Sequence, residues 1–377
     1  MRILIATGSL AIRAGPETYA RDLVGALTRA GHAVAVYSPI LGEMADDFRV
    51  AGAAVLDRLD TVSWTPEILH GQHCLDMMTA LCRFPATPAV FVSHGWMHWG
   101  DTPPRHPRIL RYVAVDGPTR DHAVQRCGIP PAQVSLVPNF VDLERYGPRA
   151  PLPPRPQRAL VLSNYAREDT YLPLVREACR RTGITVDVAG YGVGRPVSQP
   201  ERVLPAYDVV FAKGRAALEA AAVGTAVVVC DAFGLGPMVT TQNMQVLRTL
   251  EGDYWRWYSP LRVDRLEQEI GRYDARDAAE VTRWVREVAG ADRAGAELVR
   301  LYEDAVAEHR ERPPDPVAET NAVAQHLAWL SRITKEDLVE RDPLAGLAVR
   351  LRNRLARVPL AARLLVRLSA MARSCLG

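Results

Sequence analysis

The chain opens on a pattern that admits few folds. "RILIAT" is a continuous apolar run, "PETYARDLVGALTRAG" follows, and "HAVAVYS" is apolar again. In the middle segment Tyr19, Leu23, Val24 and Leu27 recur at helical spacing, Pro16 suits a helix start and Gly31 a helix end. Strand, amphipathic helix, strand is a βαβ unit. It predicts a parallel sheet buried on both faces, with ligand chemistry at the carboxyl ends of its strands.

The alternation continues. "AAVLD" and "EILHGQH" read as strands, "CLDMMTALCRF" as a helix, "PAVFVSHG" and "RYVAVDG" as strands. "PTRDHAVQRCG" reads as a short helix and "QVSLVPNFVD" as a strand running into a turn. Five prolines between Pro148 and Pro156 then mark a stiff linker. Beyond it the pattern restarts with "RALVLSNY", "TYLPLVREACRRTG", "ITVDVAGYGVG", "YDVVFAK", "RAALEAAAVG" and "TAVVVCD". Leu261 to about Arg310 is charged and helical, "ERPPDP" breaks it, and the remainder from Val317 is helical with a hinge at Pro359. The expected organisation is a first Rossmann-like domain over 1–147, a linker over 148–157, a second domain over 158–310 and a basic helical tail over 317–377. At 377 residues, 48% of them apolar, the chain can fill two such cores.

The net charge of +3 hides an asymmetry. From Pro343 to Gly377 there are seven arginines and no Asp or Glu, which leaves the body near −4 (3 minus 7). In the tail, Leu344, Leu347, Leu351 and Leu355 fall on one helical face. Such a helix suits either an anionic membrane surface or docking across the domains. Aromatic and glycine-rich RNA motifs are missing, which argues against nucleic acid. Six scattered cysteines without a CxxC pair suggest a reducing cytoplasm and no zinc. The apolar start stops at Arg13 with no A-x-A site after it, so it is read as a strand and not a signal peptide. No run of about 18 apolar residues is present.

Neither GxSxG, HExxH nor GxxxxGK[ST] occurs, so no covalent nucleophile, metal or P-loop is indicated. "TGSLAIRAG" is not the GxGxxG of dinucleotide folds, and "GYGVG" leads into "RPVSQP" and not into a helix. Residues 207–234, "YDVVFAKGRAALEAAAVGTAVVVCDAFG", carry more. A helix N-terminus favours phosphate; Gly214 would let it approach, and Lys213 adds charge. Glu219, deeper in the helix, suits vicinal hydroxyls such as those of a ribose. The same residues also fit a solvated lysine, a loop glycine and an exposed helical carboxylate.

Several stretches, in order, resemble the GT-B glycosyltransferases of family 4, retaining enzymes that use nucleotide sugars. "AGPETYARDLVGALTRAGHAVAVYS" is similar to the family's glycine loop and first helix. "EILHGQH" and "PAVFVSHG" resemble its strands ending in histidine. "VSLVPNFVDLERY" is similar to the signature P-N-G-V-D-x-x-x-F, with Phe140 in place of glycine. "GRAALEAAAVGTAVVVCD" resembles the stretch after the first glutamate of its E-x7-E motif. The resemblance implies a two-domain α/β GT-B fold with a cleft and C-terminal helices. It implies transfer of a sugar from a nucleotide diphosphate donor, without metal or other cofactor, to an acceptor the sequence does not name.

Residue by residue, the resemblance puts Glu219 on the ribose, while Phe211 stands where the motif's first glutamate would act. Asn164 stands at the family's diphosphate arginine, so Arg167 and Lys213, with Gly214, are the expected diphosphate cations and cradle. Gly15 is expected near the donor phosphates or acceptor, and His94 at the donor sugar as the catalytic candidate. Retention can use the leaving phosphate to assist the acceptor hydroxyl, given cations on the phosphate and dipoles on the reacting carbon. A double displacement stays open, with Asp101 the nearest acid, although Asp-Thr-Pro-Pro also reads as a turn. Glu17 reads as a helix-dipole partner, and His70 and His73 as ordinary packing or a metal pair. Trp96 and Trp99 suit either an acceptor sugar or loop packing. The alternatives to a transferase are a sugar-nucleotide epimerase, which needs acids in the cleft, and a non-catalytic sugar-nucleotide binder.

Overall fold

A computed structural model describes residues 1–96, 98–249 and 259–341. It separates into two units, Met1–Pro314 and Asp315–Gly377. In the second unit the described residues form one helix, Pro316–Arg341. The arginine-rich stretch from Pro343, the hinge expected at Pro359 and the leucine face of the tail lie outside the described residues.

The first unit holds two sheets. In the first, β1 (Arg2–Ala6), β2 (Ala33–Tyr37), β3 (Ala54–Leu56), β4 (Ile68–Gly71), β5 (Ala89–Ser93), β6 (Ile109–Ala114) and β7 (Val134–Leu136) run in the order β3-β2-β1-β4-β5-β6-β7. All its pairings are parallel. The helices are α1 (Gly15–Arg29), α2 (Met44–Val50), α3 (Cys74–Arg83) and the short α4 (Gly117–Asp121). Pro16 and Glu17 in the first turn of α1 and Arg29 in its last suit the helix dipole. Tyr19, Leu23, Val24 and Leu27 form its buried stripe. They share one core with Ile3 and Ile5 of β1 and Val34 and Val36 of β2.

The second sheet holds β8 (Arg158–Leu162), β9 (Thr185–Ala189), β10 (Val209–Ala212), β11 (Ala226–Asp231) and β12 (Gly234–Met238), in the order β12-β11-β10-β8-β9. Around it lie α5 (Leu172–Thr182), α6 (Pro200–Val203), α7 (Gly214–Val223), α8 (Met244–Thr249), α9 (Val263–Ile270) and α10 (Ala275–Val288). Strand alternation sorts its two faces. Ala159, Val161, Val209 and Phe211 pack with α5 and α9, whereas Leu160, Val210, Ala212 and Val227 pack with α7 and α10. Both sheets are doubly wound, so each has a switch point where strand order reverses: β1/β4 in the first and β8/β10 in the second.

The sequence reading missed β12, an antiparallel edge strand with the composition "GLGPM". Pro237 cannot donate to a ladder and is tolerated here because the strand lies at the sheet edge. The chain also crosses back: α11 (Ala291–Glu311) packs on α1, β5 and β6, so residues after 290 complete the first domain's core. The two crossings bond to one another, Val141 N donating to Ala289 O and Ala291 N to Val141 O, both at 2.8 Å. The proline-rich segment is pinned to the second domain. Arg149 pairs with Asp208 at 3.2 Å, and the Tyr273 hydroxyl donates to Pro153 O at 2.7 Å.

Candidate functional site

An open cleft lies at the β8/β10 switch point, where open α/β sheets bind their ligands. Its second-domain wall includes Asn164, Tyr191, Arg215 and Glu219. Its other wall is the loop and first turn of α1, with Arg13, Gly15 and Thr18. Gly190 makes the floor possible. Its φ is +143°, and a Cβ there would stand 2.0 Å from Ser163 O, so only glycine lets β9 turn against the end of β8. Two bridges cross the mouth. Tyr191 Oη donates to Glu43 Oε1 at 2.6 Å and accepts from Arg13 N at 3.3 Å, while Asn164 Nδ2 donates to Arg13 O at 3.4 Å.

Glu219 is buried, not solvated. Its Oε1 accepts from Arg215 Nη2 at 2.9 Å, an i,i+4 pair within α7. Arg215 also donates through Nη1 to Phe140 O at 2.8 Å and ion-pairs with Asp22 of α1. Asp22 has no exposed surface and meets two further guanidinium groups, Arg145 at 3.1 Å and Arg21 at 3.2 Å. Burial alone would push the Asp22 carboxyl up, but Arg215, Arg145 and Arg21 together hold it below the usual range. Burial wins at Glu219, whose carboxyl is raised despite Arg215, with Asp22 adding to the rise. One arginine therefore joins the helix of the second domain to the helix of the first.

A ring stack leads from that arginine to His94. The Arg215 guanidinium lies 5.9 Å from the Phe140 ring centroid, Phe140 is 4.4 Å from Tyr19, and Tyr19 meets His94 edge-on at 4.6 Å. His94 follows β5, half-buried, with Nε2 enclosed and unpartnered. Burial, then His73, His70 and Arg215, lower its pKa well below the ordinary value, so the imidazole is neutral near pH 7. Phe140, which replaces the glycine of the signature, both fills the space beside Tyr19 and lends its carbonyl to Arg215.

The end of the first sheet carries a group of acids, of which Asp76 had no signal in the sequence. Glu17 is buried with Oε2 unpartnered, and burial, with Asp101 adding to it, pushes its pKa up to about 7 against backbone amides that oppose the shift. Burial likewise raises Asp76 to about 6, and it raises Asp101. His73 Nδ1 accepts from Gly8 N at 3.0 Å, and its Nε2 lies 3.8 Å from Asp101. His70 Nδ1 lies 2.6 Å from Tyr302 Oη, and burial pushes that imidazole down to about 3. The two histidines are hydrogen-bonded within the fold, and among the described residues no cluster of three or more His, Cys, Asp or Glu is arranged to hold a metal. Trp96 is exposed, while Trp99 lies 5.4 Å from the His98 ring.

Of the residues expected from the sequence, Gly15, Asn164 and Glu219 line one cleft, and His94 is linked to it through the ring stack. Arg167, Lys213 and Gly214 do not line it. Arg167 is exposed and paired with Asp169 at 2.6 Å. Lys213, just before α7, ion-pairs with Asp231 and lies over the rings of Phe233 at 5.0 Å and Tyr165 at 5.4 Å. Gly214 has a φ of +54° and opens onto a neighbouring apolar recess with Leu218, Val239 and Trp284. Phe211 is wholly buried on the sheet face away from α7, so nothing at that position can act as the motif's first glutamate. Arg13, Arg215 and Asp22 were missed. The Arg215–Glu219 spacing in an otherwise small apolar helix was the available signal.

A family model described as Glycosyltransferase Family 4 matches residues 48–145. That range holds His94 and Phe140 and ends before the second-domain wall of the cleft. Over that range the chain is similar to family 4, and its two doubly wound sheets have the GT-B architecture. A glycosyltransferase from Rickettsia africae ESF-5 superposes with a TM-score of 0.59 at 11% identity, covering 81% of this chain and 98% of that one. A putative UDP-N-acetylglucosamine 2-epimerase from Listeria monocytogenes gives 0.50 at 13% identity, covering 83% and 98%. At these identities the likeness is one of fold. A search of curated proteins finds no match. Within this GT-B frame, the family 4-like match carries the first-domain residues, and the geometry of the cleft carries the rest.

Proposed function

We propose that this protein is a retaining glycosyltransferase that moves a sugar from a nucleotide diphosphate donor to an acceptor hydroxyl. The observation that carries the reading is the cleft itself: a switch point with the buried carboxylate Glu219 on one wall and the start of α1 on the other. Glu219 binds the ribose hydroxyls, with Arg215 holding it in place. The neutral imidazole of His94 acts at the donor sugar, where a dipole can stabilise developing positive charge at the reacting carbon without repelling it. The leaving phosphate assists the acceptor on the same face, so no protein nucleophile is needed. Incubation with a panel of nucleotide sugars, with and without lipid extract, tests this. Release of nucleotide diphosphate together with a glycosylated product supports transfer, and an intact donor under all conditions sinks it.

One observation favours a second reading, a sugar-nucleotide epimerase. Glu17, Asp76 and Asp101 are acids with raised pKa values near the end of the first sheet, where such chemistry needs proton donors and acceptors. The same incubation separates the two, because an epimerase yields an isomeric sugar with no acceptor adduct.

The proposal includes a cytoplasmic location, with the tail touching the inner face of an anionic membrane. It rests on the unpaired cysteines and on the seven arginines beyond Pro343. Among the described residues no helix is long and apolar enough to cross a membrane.

A further inference from the structure

We infer that the donor diphosphate is held by one arginine from each domain, Arg13 and Arg215, and not by a cation pair on the second domain alone. The inference rests on the nucleotide-sugar reading of the cleft and deepens it. Among the described residues, the charged side chains lining the cleft are Arg13, Arg215 and Glu219, so the lining is cationic by one charge.

Each arginine is anchored in the same manner. Arg13 Nη2 pairs with Asp47, while its Nη1 is enclosed and unpartnered. Arg215 Nη1 is held by Phe140 O and Nη2 by Asp22 and Glu219, while its Nε is enclosed and unpartnered. Arg215 is 8% exposed. Carboxylates thus fix both guanidinium groups and leave one donor on each unmet, and a buried donor without an acceptor is costly. Both side chains line the cleft, so an anion between the two walls meets guanidinium groups already held in place.

The backbone adds to this. Gly15 begins α1 and lines the cleft, and a Cβ built on it meets nothing within 4 Å, so the start of that helix leaves room beside Arg13 for a ligand. The arrangement also answers the departure at Asn164. With no arginine there and Arg167 exposed outside the cleft lining, the first domain delivers the missing cation across the cleft. Arg13 is already tied to the second domain through Tyr191 and Asn164.

Calorimetry with inorganic pyrophosphate, UDP and GDP on the full chain tests the inference. Arg13→Gln should weaken whichever of these binds by at least tenfold and leave affinity for the bare nucleoside unchanged, while Arg167→Gln should behave as the parent. Equal affinity of Arg13→Gln and the parent overturns the two-arginine site and leaves the donor reading standing. If the parent binds none of the three, both fail. Should Arg13→Gln not fold, protection of Arg13 from phenylglyoxal by pyrophosphate, read by mass spectrometry, decides. Protection supports the site, and unchanged modification overturns it.

Discussion

Two titratable residues carry the sharpest expectations. Glu17 holds its proton to about pH 7 when folded, against 4.5 for an ordinary glutamate. The folded chain therefore binds that proton more tightly than the unfolded one. Its contribution to stability is full below about pH 4.5 and is lost as pH rises through about 7, with a slope of at most about 1.4 kcal/mol per pH unit. Glu17→Gln should flatten that part of the stability–pH curve, measured by denaturant unfolding; an unchanged slope would contradict the burial of the carboxyl. At His94 the expectation is kinetic. His94→Ala should lower turnover far more than donor affinity, because the imidazole acts on the sugar and not on the base or phosphates. Equal losses in both would move His94 from the sugar to a packing role beside Tyr19.

At the scale of elements, the joint between β8 and β9 is the most constrained. Gly190→Ala combines a positive φ with a Cβ driven into Ser163 O, and it should cost about 1–3 kcal/mol or more in a denaturant melt, with donor affinity falling as the floor of the cleft shifts. A melt identical to the parent would mean that the turn relaxes freely. Strands with unbroken apolar runs and helices with a clear stripe were legible in the sequence, as β1, α1, β5 and β11 show. The grouping of Gly15, Asn164 and Glu219 came from the family resemblance, not from any local pattern, and in the structure the three line one cleft. What was not legible depended on contacts between segments far apart in the chain. The return of α11 to the first sheet rests on Leu298 and Tyr302 finding α1 and β4. Nothing in the local spacing of Lys213 showed that Asp231 would hold it away from the cleft. Glu17 read as a helix-dipole partner because burial, which raises its pKa, has no local signature.

For the molecule as a whole, the cluster of Asp22, Arg215 and Glu219 couples the two domains. Asp22→Asn removes the carboxylate shared by Arg215, Arg145 and Arg21, leaving Arg215 only Glu219, and it should destabilise the protein by about 1–3 kcal/mol and loosen the domain arrangement, detectable as added hydrogen exchange in α1 and α7. Unchanged exchange in α7 would show that the link is not mechanical. The tail makes a separate expectation. Its seven arginines should give sedimentation with anionic vesicles that fades with salt, and truncation after Asp342 should abolish it with the core still folded. Binding by the truncated chain would place the contact elsewhere. The central claim, that the cleft between the domains takes a nucleotide diphosphate through Glu219, is tested most directly by titrating UDP and GDP into the parent and into Glu219→Gln and reading affinity by calorimetry. The expected result is saturable binding by the parent to at least one of them and a loss of about 1.5–3 kcal/mol in the variant, with its fold intact. Equal affinities in the two proteins would contradict it.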